Sequence, residues 1–170
     1  MVKAKVLANY LVKAYEQFTD SSFENSELRL HKLLYFAQRE SLAIFGEPII
    51  DESFEGWVHG PVIPELRSFF NEDYQDFDVD SHLGEKEKYV IANILEQYAK
   101  YAPWTLRNMT HDETSWKRSR VGLSETEAGN VEIPIDDIKL DAANVRIYDH
   151  VWGMYLDEFE DEPEYTICNN

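Results

Sequence analysis

Residues 27–45 read ELRLHKLLYFAQRESLAIF, and no other stretch restricts the fold as strongly. Leu28, Leu30, Leu33, Leu34, Tyr35, Phe36, Ala37, Leu42, Ile44 and Phe45 cover most of a helix circumference. A helix that is apolar nearly all round must be enclosed by protein. The sequence therefore predicts a central helix with the remaining elements packed about it. Asn25 or Ser26 is placed to cap its start. Gly46 suits the left-handed residue past its end, and Pro48 prevents continuation.

The flanking segments supply the shell. Val6, Leu7, Tyr10, Leu11, Ala14 and Phe18 form one apolar stripe and predict a first helix over 2–18. From Ile49 to Val58 the period drops to two, which predicts a short strand or hairpin near 49–62 that turns at His59-Gly60-Pro61. Pro64 is placed to open a helix carrying Leu66, Phe69 and Phe70. Residues 71–84 are acidic and irregular and read as a surface loop. Val90, Ile91, Ile94, Leu95, Tyr98 and Tyr101 mark a helix over 85–101. Trp104, Leu106 and Met109 mark a short one ending near Thr110-His111, and 116–120 a further turn, which Thr110 or Asp112 is placed to cap. After a loop at 122–130, Ile133-Pro134-Ile135 leads into a last helix with Ala142, Val145, Tyr148, Trp152, Tyr155 and Phe159 on one face. The fold class is mainly α with a small β element (α+β), about six to seven helices around a buried centre. Residues 1–160 form one domain, and 161–170 an acidic, mobile tail.

At 170 residues, 44% apolar and 14% aromatic, the chain can bury a sizeable core. Its formal net charge is −17, with −9 of it in residues 131–170 and a balanced stretch at 101–130. Such a chain lacks the basic face that direct nucleic-acid binding requires. Cys168 stands alone, so no internal disulfide forms. The N-terminal stretch has neither a signal-peptide core nor a membrane span, and the expected setting is cytoplasmic.

The search for chemistry yields little. The five histidines, His31, His59, His82, His111 and His150, form no His-Glu-x-x-His pair, and none joins a cysteine at zinc-ligand spacing. His31, in the most apolar helix, reads as a hydrogen-bonded core residue. His59 and His111 lie at element ends and are the candidates if the chain is a hydrolase. No glycine-rich phosphate loop and no nucleophile elbow occurs. The expectation is no enzyme, no cofactor and no metal.

Two segments are better specified than folding demands: HKLLYFAQRESLAIFGEPIIDESFEGWVHGPVIPEL and TLRNMTHDETSWKRSR. The first carries Lys32, Tyr35 and Gln38 in its helix and Trp57, His59, Gly60 and Pro61 at its reversal. The second carries Thr110, His111 and Trp116, with Lys117, Arg118 and Arg120 beside the indole in an otherwise acidic chain. The order Lys-Leu-Leu-Tyr-aromatic-Ala-Gln, then Leu-Ala-x-x-Gly-x-Pro, then Trp-x-x-Gly-Pro-Val, then Leu-x-x-Met-Thr-His-x-Glu-x-x-Trp resembles the Panacea domain, the SocA-like and phage-associated (GepA-like) family. The likeness covers about residues 3–140. Arg39 stands where family members often have Gly, and the segment after Tyr148 looks individual to this chain.

The resemblance implies a non-catalytic antitoxin that neutralises, by direct binding, a cognate protein toxin encoded beside it. The ten residues Lys32, Tyr35, Gln38, Trp57, His59, Gly60, Pro61, Thr110, His111 and Trp116 are the partner-binding or family-motif candidates. Neither membrane nor direct nucleic-acid contact is expected. Two other readings stay open: an acidic DNA mimic that occupies a basic partner, and a hydrolase using His59 and His111, which requires the two imidazoles to converge.

Overall fold

The computed structural model describes residues 1–71 and 83–159. Helix α1 spans Ala4–Thr19 and α2 spans Glu27–Phe45. Strands β1 (Phe54–Trp57) and β2 (Gly60–Val62) follow, then two 3-10 turns at Pro64–Leu66 and Phe69–Asn71. Helices α3 (Glu85–Tyr98), α4 (Pro103–Asp112) and α5 (Thr114–Ser119) precede β3 (Glu132–Ile133), α6 (Ile135–Ala142), β4 (Tyr148–Asp149) and β5 (Met154–Tyr155). The domain is mainly helical with a small antiparallel sheet.

Helix α2 is the centre. Every residue from Arg29 to Leu42 is buried, and α1, α3, α4, α6 and β2 all pack on it. Ser26 caps it, its hydroxyl accepting from the Arg29 amide at 3.2 Å. Gly46, at φ +69°, closes the far end by donating to the Leu42 carbonyl. Burial of Leu30, Leu33, Leu34, Tyr35, Phe36 and Ala37 at 0% exposure makes this helix a major apolar contribution to stability. Phe36 stacks on Tyr98 of α3 with ring centroids 4.5 Å apart, and Tyr35 meets Phe54 of β1 edge-on at 5.6 Å.

The small sheet has the order β2-β1-β3, all antiparallel. Gly60 pairs with Trp57 and Val62 with Glu55 across the hairpin, and Phe54 pairs with Ile133 on the other side. The chain start is tied to the same region. The Val2 amide donates to the Ile49 carbonyl at 2.8 Å, and Glu52 caps α1 by accepting from the Ala4 amide at 2.7 Å.

Several elements differ from the sequence reading. Pro64 opens 3-10 turns in place of a full helix, so the Phe69 and Phe70 rings are placed by two short turns. Helix α3 stops at Tyr98, leaving Tyr101 in the turn before Pro103. The expected last helix also ends early, at Ala142, and residues 148–155 form a hairpin. The spacing of Tyr148, Trp152 and Tyr155 mimics a helical stripe. Gly153 at φ +65° turns the chain, Tyr148 and Tyr155 face each other across the strands at 5.2 Å, and Asn93 of α3 accepts the His150 amide. Trp152, expected on the packed face, is 70% exposed at the hairpin tip. The acidic loop from 72 to 82 and the tail from 160 to 170 lie outside the described residues.

Candidate functional site

The two motif-rich segments meet, and charge and hydrogen bonding hold them together. Tyr35 of α2 donates its phenol to Asp141 Oδ2 of α6 at 2.9 Å, and its oxygen lies 2.7 Å from Ser115 Oγ of α5. Burial pushes the phenol well above its usual range, so it stays protonated and serves as a donor. Asp141 also accepts the backbone amides of Thr114 and Ser115, at 2.7 and 3.0 Å. The start of α5 is thus capped from α6, where local capping by Thr110 or Asp112 was the expectation. Thr110 instead donates to the Arg107 carbonyl at 2.8 Å. Arg39 pairs with Glu113 and donates to the Tyr98 phenol at 2.7 Å, so the residue that departs from the family pattern is itself a buried tie between α2, α3 and the junction of α4 and α5.

Gln38 holds the segment leading into the sheet. Its Oε1 accepts the amides of Ile49 and Ile50, both at 2.9 Å, and its Nε2 donates to the Ile50 carbonyl. Tyr35, Gln38 and Thr110 are all buried and position their surroundings without reaching solvent. Trp116 is half-buried; its indole donates to the Trp57 carbonyl at 2.9 Å and stacks on His111 at 3.6 Å. Within the basic cluster, Arg118 pairs with Asp137, whereas Arg120 is buried and satisfies the carbonyls of Gly56, Ser124 and Glu127.

Gly60 sits at the point of closest approach. Its φ is +100°, and a Cβ there would meet Thr110 Oγ1 at 2.6 Å and Lys32 Cε at 2.8 Å. Both the backbone conformation and the space demand glycine. Gly60→Ala is expected to cost about 1–3 kcal/mol, read as a lowered urea midpoint at unchanged slope.

Beneath that turn lies Lys32, fully buried, its Nζ donating to the Pro61 carbonyl at 2.8 Å. An ammonium has three donors, and this bond uses one. Burial, reinforced by Arg107, lowers its pKa to about 7. His31 beside it accepts the Ile63 amide on Nδ1 at 3.2 Å, which places the proton of the neutral ring on Nε2. That Nε2 is buried with no partner among the described residues. Burial first, then Lys32 and Arg67, lowers its pKa to about 3. His111 is likewise lowered to about 4, by burial and then by Arg107, Lys32, His59 and Arg120. His59 is exposed, its ring 5.3 Å from that of Trp104, and lies near enough for its charge to bear on His111. The motif residues therefore gather around a cationic patch in a chain of net charge −17.

The His31 shift has a sign that acid unfolding can read. Between pH 6.5 and about 3 the unfolded chain binds a proton that the folded one refuses, so stability falls as pH drops through that window. His31→Asn keeps an acceptor for Ile63 and removes the titration. The variant is expected to lose less stability than the parent between pH 6 and 4, measured by urea midpoints.

Among the described residues, no three His, Cys, Asp or Glu side chains assemble as a metal site would require, and no helix is long and apolar enough to cross a membrane. The sequence reading picked out Lys32, Trp57, His59, Gly60, Pro61 and His111, which the fold gathers in one neighbourhood. It passed over Arg107 and Trp104 as site residues, and Asp141 altogether. Their only signal was the balanced charge of residues 101–130 and an aspartate on α6 far along the chain.

A helical scaffold thus collects these residues at one hairpin turn. Residues 30–117 match the family described as Antitoxin SocA-like, Panacea domain, and the chain belongs to that family. Over 70 residues, 41% of its length, it is 36% identical to Antitoxin SocA of Caulobacter vibrioides (strain NA1000 / CB15N). The aligned segment spans 36% of that relative. No solved structure matches the chain.

Proposed function

We propose that the chain is the antitoxin of a toxin–antitoxin pair and neutralises a protein toxin by binding it directly, through the face that carries His59, Trp104 and Arg107. The observation that carries this reading lies within the family-matched span. Trp104 is 57% exposed there, beside His59 and with the Arg107 guanidinium 5.6 Å from its ring. Tryptophan and arginine are both among the residues enriched at the energetic anchors of protein interfaces. A stable complex would bury roughly 1,200–2,000 Å² around it. Because this face is locally cationic, the toxin surface that meets it is acidic or aromatic.

The hydrolase reading is weaker on physical grounds. His59 and His111 do approach each other, but the charged neighbours acting on His111 are all cations, and its pKa of about 4 suits a general base poorly at neutral pH.

The test is co-expression with the product of the neighbouring gene. That product alone is expected to arrest growth, and this chain to restore it. Trp104→Asp is expected to weaken the complex by about 2 kcal/mol or more, roughly 30-fold in Kd. Trp152→Asp, outside the matched span, serves as the control and retains binding. A harmless neighbour, or a complex untouched by Trp104→Asp, would count against this reading.

A further inference from the structure

A cavity of about 270 Å³ opens between the start of α2, the β1–β2 turn and the first turn of α4. Trp57, Trp104, Val58 and Val62 form its apolar walls, Lys32 and His31 lie against it, and His59 and Glu27 complete the lining. At the rim Arg67 pairs loosely with Glu27 at 3.5 Å and lies 5.2 Å from the Trp57 ring centroid. Three features of this cavity are unexplained by folding. Lys32, at 0% exposure, has a carbonyl as its hydrogen-bond partner and two donors to spare. His31, at 2% exposure, has an Nε2–H without a partner among the described residues. The charges that bear on these two groups, Arg67 and Arg107, have the same sign as the ammonium. Buried charge without a counter-charge, and a buried donor without an acceptor, are each costly. An anion in the cavity would relieve both at once.

We propose that this cavity is a binding site for a small carboxylic acid with a flat apolar body, its carboxylate accepting from Lys32 Nζ and His31 Nε2 and its body lying between the Trp57 and Trp104 indoles. Two donors of fixed position suit a two-oxygen acceptor, and aromatic walls suit a planar body. The few convergent polar groups in an otherwise apolar lining are the general form of a small-molecule site. The cavity shares Trp104 and His59 with the proposed toxin-binding face, but the ligand site does not depend on that reading, and the isolated chain is sufficient to test it.

The probe is phenylacetate, titrated into the ¹⁵N-labelled chain, with the neutral isostere phenylacetamide as comparison. Phenylacetate is expected to shift the indole N–H signals of Trp57 and Trp104 in a saturable manner and to leave that of Trp152 in place. Phenylacetamide is expected to bind at least tenfold more weakly. Lys32→Met is expected to abolish the shifts, and His31→Asn to weaken them severalfold while the remaining spectrum shows a folded chain. Equal binding of acid and amide would overturn the proposal. So would no saturable shift in the parent chain, or undiminished binding by both variants.

Discussion

Asp141→Ala is expected to destabilise the domain by about 3–5 kcal/mol, the largest loss of any single polar side chain considered. The carboxylate is 5% exposed and accepts from the Thr114 and Ser115 amides and from the Tyr35 phenol. Truncation leaves the buried Ser115 amide without its acceptor, removes the same partner from the part-buried Thr114 amide, and leaves the Tyr35 phenol with Ser115 Oγ alone. Each such loss costs about 1–3 kcal/mol, and the sum falls short of full additivity because the three share one site. In a chain of this size the loss lowers Tm by about 10 °C. Asp141→Asn, which keeps one carbonyl oxygen, is expected to lose less. In a Tyr35→Phe background the cost of Asp141→Ala should shrink, since one of the three bonds is already gone. A loss below about 1 kcal/mol by urea denaturation would show that the carboxylate does not organise α5.

Lys32→Met is expected to act in the opposite direction and stabilise the unliganded domain at pH 6 by about 1–4 kcal/mol. The ammonium lies among Arg107, His31 and the Gly60-Pro61 turn, with its pKa lowered to about 7 from 10.5. Below pH 7 both folded and unfolded chains carry the proton, and the folded state bears the full cost of a buried charge. Between about 7 and 10.5 the unfolded chain binds one proton more than the folded one, so rising pH stabilises the parent. Met has a similar length and no charge. Its advantage is therefore greatest at pH 6 and fades toward pH 10, offset slightly at every pH by the Pro61 carbonyl left unpaired. A gain that does not change with pH, or a loss at pH 6, would contradict the assignment of Lys32 as an uncompensated cation.

The two expectations bear on how much of this molecule is legible in its sequence. The central helix was fully readable, because apolar residues on all sides admit one solution, and Ser26 and Gly46 mark its ends. The hairpin at Gly60 was readable from its alternation and its turn residues. The helix past Ala142 was misread because Tyr148, Trp152 and Tyr155 repeat at helical steps. The deciding contacts, from Asn93 to His150 and from Arg146 to Asp157, join residues that no periodicity connects. The same holds for the site. Lys32 and Gly60 were singled out by motif, yet their proximity depends on a turn folding back over α2. Arg107, Trp104 and Asp141 carry no local mark; each gains its meaning from a partner many residues away.

The reach of Asp141 has a practical corollary for anyone dissecting this domain. The family match ends at residue 117, but the acceptor that organises residues 114 and 115 is supplied from position 141, and Phe54 finds its strand neighbour at Ile133. A fragment cut at the edge of the shared segment would therefore expose raw amide groups and an open sheet margin. The portion common to the family borrows its closure from a part of the chain that the match does not include.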